Sequence, residues 1–147
     1  MNFDKFTIKS QEAVQQALTI ATMNGQQAIE NGHILKAILD ADQNVTPFIL
    51  KKIGVNQDVF KKTLDSIVNS YPKVSGGQPY LSNGANQTIA KATSALKDFG
   101  DEFISIEHLL IGILASGDSV SKMMKDVGFN EKDLKAAINE LRKGSKV

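Results

Sequence analysis

Two histidines stand at matching places in this chain, His33 in "IENGHILKAIL" and His108 in "FISIEHLLIGIL". With Glu30 and Glu107 close by, a histidine and a carboxylate could hold a divalent metal or relay a proton. Each histidine is alone in its segment, however, with no second histidine one helical turn away, and the chain has no cysteine. Neither a zinc set nor a thiolate nucleophile can be assembled from such spacing. "SVSK", Ser119 to Lys122, has the Ser-x-x-Lys spacing of certain nucleophilic serine enzymes but lacks their accompanying motifs. "SGGQP" lacks the Gly-Lys-Ser/Thr ending of a phosphate loop, and no strand pattern precedes it. Asp4, Asp98, Asp101 and Glu102 supply carboxylates, but no apolar pocket that would separate their pKa values is legible around them. They read as solvated surface charges. The expectation is a chain with no catalytic residue, no metal and no cofactor.

The elements that carry the histidines explain them better. His33 and His108 lie 75 positions apart, and the same offset relates Gly25 to Gly100, Ile29 to Ile104, Leu35 to Leu110, Ile38 to Ile113 and Leu39 to Leu114. A helix entrance is often duplicated, whereas a catalytic cluster rarely is. Apolar residues recur at helical spacing almost throughout, without sustained strand alternation, which predicts an all-α chain. A first helix begins after Thr7 as N-cap, buries Ala13, Val14, Ala17, Leu18 and Ala21, and stops near Gly25. A short second helix carries Ile34, Leu35, Ile38 and Leu39, with His33 in its third position. The third runs from Thr46 as cap, through Pro47 as first helical residue, to Gly54; the fourth buries Phe60, Thr63, Leu64 and Ile67.

Two prolines and a Gly-Gly pair then break the helical pattern over about 70–80. The same order returns with Ile89, Ala92, Leu96 and Phe99, then Leu109 to Leu114, then a helix capped by Ser119 and ended by Gly128, then Leu134, Ala137, Ile138 and Leu141. The fourth helices are offset by 74, so the second repeat has lost one residue in its middle. The prediction is a single domain over 1–147, made of repeat one (about 1–72) and repeat two (about 81–143), two tandem four-helix repeats forming one pseudo-twofold-symmetric helical domain. The first and fifth helices are expected to bury their apolar stripes against each other, making the repeats unfold together.

Composition narrows the partners. Hydrophobic residues make up 41% of the chain and charged residues 22%, the balance of a globular protein. Lys and Arg number 17 against 16 Asp and Glu, too even for the basic face that a nucleic-acid partner demands. The longest apolar run, "LLIGILA", falls far short of the ~20 residues that span a bilayer, and "MNFDKFTIKSQ" lacks a signal-peptide profile. A cytoplasmic protein without nucleic-acid or membrane partners is expected.

Taken in order, "FTIKSQEAVQQAL", "IENGHILKAIL", "FISIEHLLIGIL" and the closing "AAINELRKG" resemble the duplicated N-terminal domain of bacterial Clp-family AAA+ unfoldases, over essentially the whole chain. "GDEFISIEHLL" and "IENGH" are most similar to the disaggregase branch of that family. The resemblance implies a domain tethered, from about 144–147, above a hexameric ATPase ring that keeps the ATP and magnesium for itself, the isolated domain being a monomer. It implies a non-catalytic role: engaging unfolded or aggregated polypeptide and passing it to the ring. The alternatives are docking of an adaptor protein, as in the protease-linked branches, and, more remotely, a free-standing helical scaffold. The substrate-binding residues it implies are Thr7, Asp101 and Glu107 beside a shallow groove, with groove positions falling on Lys91, Ala95 and His108. Asp101 and Glu107 have Gln26 and Gly32 as their repeat-one counterparts, an asymmetry suited to a one-sided site. Glu107, two residues after the cap Ser105, also suits the unpaired N–H groups of a helix entrance. Truncating either carboxylate is expected to leave the fold intact at a cost of roughly 1 kcal/mol or less, apart from a lost capping contribution at Glu107.

Overall fold

The computed structural model describes residues 2–74 and 76–143. Repeat one contributes α1 (Ile8–Met23), β1 (Ala28–Ile29), α2 (Asn31–Ala41), α3 (Val45–Ile53) and α4 (Gln57–Ser70). Repeat two contributes β2 (Tyr80–Leu81), α5 (Asn83–Phe99), α6 (Ile106–Ala115), α7 (Ser119–Asp126) and α8 (Glu131–Arg142). The domain is all-α apart from one two-stranded parallel sheet, too short to leave an alternation in the sequence. The expected tether at 144–147 lies outside the described residues.

Helix entrances follow local chemistry. The side chains of Thr7, Asn56, Ser82 and Asn130 each accept a first-turn N–H, which satisfies donors that a helix leaves unpaired. Two expected caps are displaced by stronger acceptors upstream. Asp42 accepts from the backbone N–H of Asn44, Val45 and Thr46 and from the Thr46 hydroxyl, so α3 starts at Val45 and Thr46 and Pro47 lie inside its first turn. Asp118, not Ser119, caps α7. Gly54 ends α3 with φ of 91°, a left-handed conformation that a Cβ would oppose.

Ile34, Leu35 and Ile38 of α2 and Leu109, Leu110 and Ile113 of α6 form the centre of the core. The expected first and fourth helix stripes need adjusting, since Leu18 is 39% exposed and Val68 is buried where Ile67 is only partly so. The expected packing of the first helix on the fifth is also replaced. α1 lies on α2 and α5 lies on α6, the second pair so close that a Cβ on Gly112 would sit 2.2 Å from the Thr88 carbonyl oxygen.

The repeats meet by exchange. Thr7 N–H donates to the Ile104 oxygen at 2.9 Å, and at the position 75 residues on, Ser82 N–H donates to the Ile29 oxygen at 3.0 Å. The strand leading into each repeat's first helix therefore pairs with the strand leading into the other repeat's second helix. The third and fourth helices cross over in the same way, α3 against α8 and α4 against α7, with the Phe60 and Phe129 rings stacked 5.8 Å apart. Asn31 fastens the junction from within: it accepts from the Thr88 hydroxyl and donates to Gly84, Ser116 and Asp118.

Candidate functional site

Both histidines sit at the third position of their helix and make the same pair of bonds. His108 Nδ1 accepts the Ser105 backbone N–H at 2.8 Å, which leaves the ring proton on Nε2, donated to Asp101 Oδ2 at 2.7 Å. His33 Nδ1 accepts the Glu30 N–H at 2.9 Å and its Nε2 donates to Gln26 Oε1 at 2.6 Å. In each repeat the acceptor then reaches the end of the fourth helix. Gln26 Nε2 donates to the Val68 and Tyr71 carbonyl oxygens, whereas Asp101 accepts from Arg142 Nη1 at 2.5 Å. Arg142 Nε also donates to Glu107 Oε2 at 3.1 Å, and its guanidinium lies 5.1 Å over the Phe99 ring. Burial pushes the His33 ring down to about 4 and lowers His108 as well, the latter partly opposed by the Asp101 carboxylate. These neutral, fully bonded imidazoles join helices. Among the described residues there is no group of three or more metal-ligating side chains.

A groove of about 840 Å³ opens elsewhere, between the middle of α1 and the entrance to α5. Its apolar surfaces come from Phe3, Val14, Leu18, Ile29, Pro79, Tyr80 and Leu81, and its polar ones from Gln15, Gln78 and Asn86. Among the described residues that line it, none is charged. The β1–β2 pairing supplies one wall, and because α1 and α5 each pack on their own second helix, neither closes the opening. Leu18 and Tyr80 are 39% and 55% exposed, leaving apolar surface in water beside a concavity, which is a mark of binding sites.

Residues 5–142 match the family model described as the Clp repeat (R) N-terminal domain. The chain belongs to that family. It is 51% identical over 147 residues to the chaperone protein ClpB of Bacteroides thetaiotaomicron, covering 100% of this chain and 17% of the relative's length. The Clp repeat match fills nearly the whole chain, and no ATPase domain is present within it. Among solved structures, the Hsp104 N-terminal domain from Candida albicans superimposes with a TM-score of 0.80 at 18% identity, covering 97% of this chain and 94% of that one. A complex of the ClpV N-domain with a VipB peptide does so with a TM-score of 0.78 at 16% identity, covering 97% and 90%. At such identities the two structures share the Clp repeat fold with this chain.

Of the six residues expected at the binding site, Asp101, Glu107, His108 and Thr7 come together around the 101–108 turn. Lys91 and Ala95 lie one turn apart on α5, the lysine exposed and the alanine buried. None of the six lines the groove. Asp101 is 8% exposed and Glu107 6%, so they are not the solvated charges or simple caps that sequence suggests; Arg142, 35 residues beyond Glu107, holds both. The groove residues escaped notice because Val14, Leu18 and Ile29 fit a core stripe and Tyr80 falls in the linker. One signal was available: the repeat-two counterpart of Leu18 is Thr93, so that position is not bound to the duplicated core.

Two outcomes follow for this Clp repeat domain. Asp101→Ala takes one of two carboxylates from a buried guanidinium and the acceptor from His108 Nε2, so it is expected to cost about 3–5 kcal/mol in urea denaturation. A loss of only about 1 kcal/mol would mean that Asp101 is solvated as sequence suggests. For His33 the folded value lies below the ordinary 6.5, at about 4, so the unfolded chain binds more protons between those two pH values. Its contribution is fully present above pH 6.5 and is lost progressively as pH falls toward 4. An NMR titration is expected to show the His33 ring neutral at pH 5.5 in the folded state, and a midpoint near 6.5 would contradict the assignment.

Proposed function

We propose that this chain is the non-catalytic, substrate-engaging N-terminal domain of a disaggregase-type AAA+ unfoldase. It captures exposed apolar stretches of unfolded or aggregated polypeptide in the groove beside α1 and passes them to a hexameric ATPase ring carried by the rest of a cytoplasmic protein, where ATP and magnesium are used. The observation that carries this reading is the open, charge-free groove with Leu18 and Tyr80 at its rim. An uncharged apolar concavity suits a main chain bearing apolar side chains and makes no demand on the client's charge.

Likeness to the ClpB chaperone of Bacteroides thetaiotaomicron supports the assignment to that branch, and the peptide complex of the ClpV N-domain supports a peptide-sized ligand. The same complex favours a second reading, in which the groove receives a defined segment of an adaptor protein. In either case Asp101, Glu107 and His108 act by holding the 101–108 turn, and Thr7 by tying α1 to it. Lys91, exposed on α5, can meet a client at the surface.

A chemical-shift titration with a reduced, alkylated model protein tests the proposal. Shifts are expected at residues 14–18 and 79–86, and Leu18→Ser and Tyr80→Ser are each expected to weaken binding roughly tenfold, about 1.4 kcal/mol, while the folded spectrum is kept. Shifts confined to α5 and the 101–108 turn, with unchanged affinity in both variants, would move the site away from this groove. Binding only to a folded adaptor would favour the second reading.

A further inference from the structure

The two repeats fasten the end of their fourth helix by different chemistry. At the end of α4 the fastening is to main chain: Gln26 donates to the Val68 and Tyr71 carbonyl oxygens, and the Tyr71 hydroxyl accepts the Gly32 N–H at 3.2 Å. At the end of α8, among the described residues, it is made by the side chain of Arg142. The Arg142 guanidinium reaches Asp101 and Glu107 and covers the Phe99 ring, with only 6% of the arginine side chain exposed. Val68, 74 positions before Arg142, has no side chain capable of this, so the bridge is peculiar to repeat two.

A second feature adjoins it. Lys143, immediately after α8, has φ of 46°, and it is the one non-glycine residue with positive φ among those described. A side chain in the left-handed region is strained and persists only where its surroundings hold it. The turn gripped by Arg142 also receives the start of the chain: Ile104 accepts from the Thr7 N–H and the Ser10 hydroxyl and donates to the Lys5 carbonyl oxygen. Entry and exit of the domain are thus fastened to a single turn, the entry by two main-chain bonds and the Ser10 hydroxyl, the exit by the Arg142 side chain.

We propose that Arg142 is a releasable latch that fixes the direction in which the chain leaves the domain. Closed, it presses the last turn of α8 against the 101–107 segment and imposes the left-handed conformation on Lys143. Open, it lets the last turn of α8 unwind and Lys143 relax, while Ile138 and Leu134 keep the rest of α8 in the core. The connection to whatever follows residue 143 then gains angular freedom without unfolding of the domain. The latch is independent of what occupies the groove.

Amide hydrogen exchange on the whole chain, with Arg142→Ala and Arg142→Lys, tests this. In Arg142→Ala the amides of 139–143 are expected to exchange roughly tenfold faster or more, while those of 109–114 in α6 keep their protection relative to the global stability of the variant. Arg142→Lys keeps a positive charge but cannot fork between two carboxylates, so intermediate exchange is expected. Unchanged exchange at 139–143 in the alanine variant would overturn the latch. So would an equal loss of protection throughout the domain, which would make Arg142 a core-stability residue, or a lysine as protective as the arginine.

Discussion

The structure depends on an exchange between its two halves. Each repeat lends its leading strand to the other, through Thr7 on Ile104 and Ser82 on Ile29, and its third helix packs on the other's fourth. A four-helix repeat of about 70 residues buries too little surface to be comfortable alone, and here each would expose the very faces it has surrendered. Closure under a pseudo-twofold operation makes the exchange self-consistent, as an isologous interface does in a dimer. The core of α2 and α6, the small sheet and the groove all follow from that arrangement.

Divergence has worked within this frame by changing chemistry at fixed positions. The joint between the second-helix histidine and the end of the fourth helix exists twice, once as an amide on carbonyl oxygens and once as a carboxylate on a guanidinium. Both keep the imidazole neutral, because Nδ1 must accept a backbone N–H. Only the ionic version fastens the end of the fourth helix through a charged side chain of that helix. The lining of the groove has diverged in the same way: Leu18 faces it on α1, and the matching position on α5 is Thr93.

The helices, their order and their duplication were legible because apolar spacing and the 75-residue offset are properties of sequence alone. The packing of α1 on α2 was not, since an apolar stripe states that a face is covered and does not say by what. The caps of α3 and α7 were misplaced by one or two residues because Asp42 and Asp118 reach forward from outside the turn. Burial of Asp101 and Glu107 was invisible for want of Arg142, whose partnership is set by the fold and leaves no local pattern. Tyr80 hid at the end of a proline- and glycine-rich stretch that reads as linker, yet with Leu81 it supplies a strand.

With its faces surrendered in this way, neither repeat is expected to be a folding unit without the other. Producing residues 1–75 and 76–147 as separate chains, and following helicity alone and after mixing, tests it most directly. Each half is expected to be largely unstructured by itself and to regain native helicity in a one-to-one mixture, with a transition that depends on concentration. A half that folds cooperatively on its own, with helicity unaffected by the other, would contradict the account.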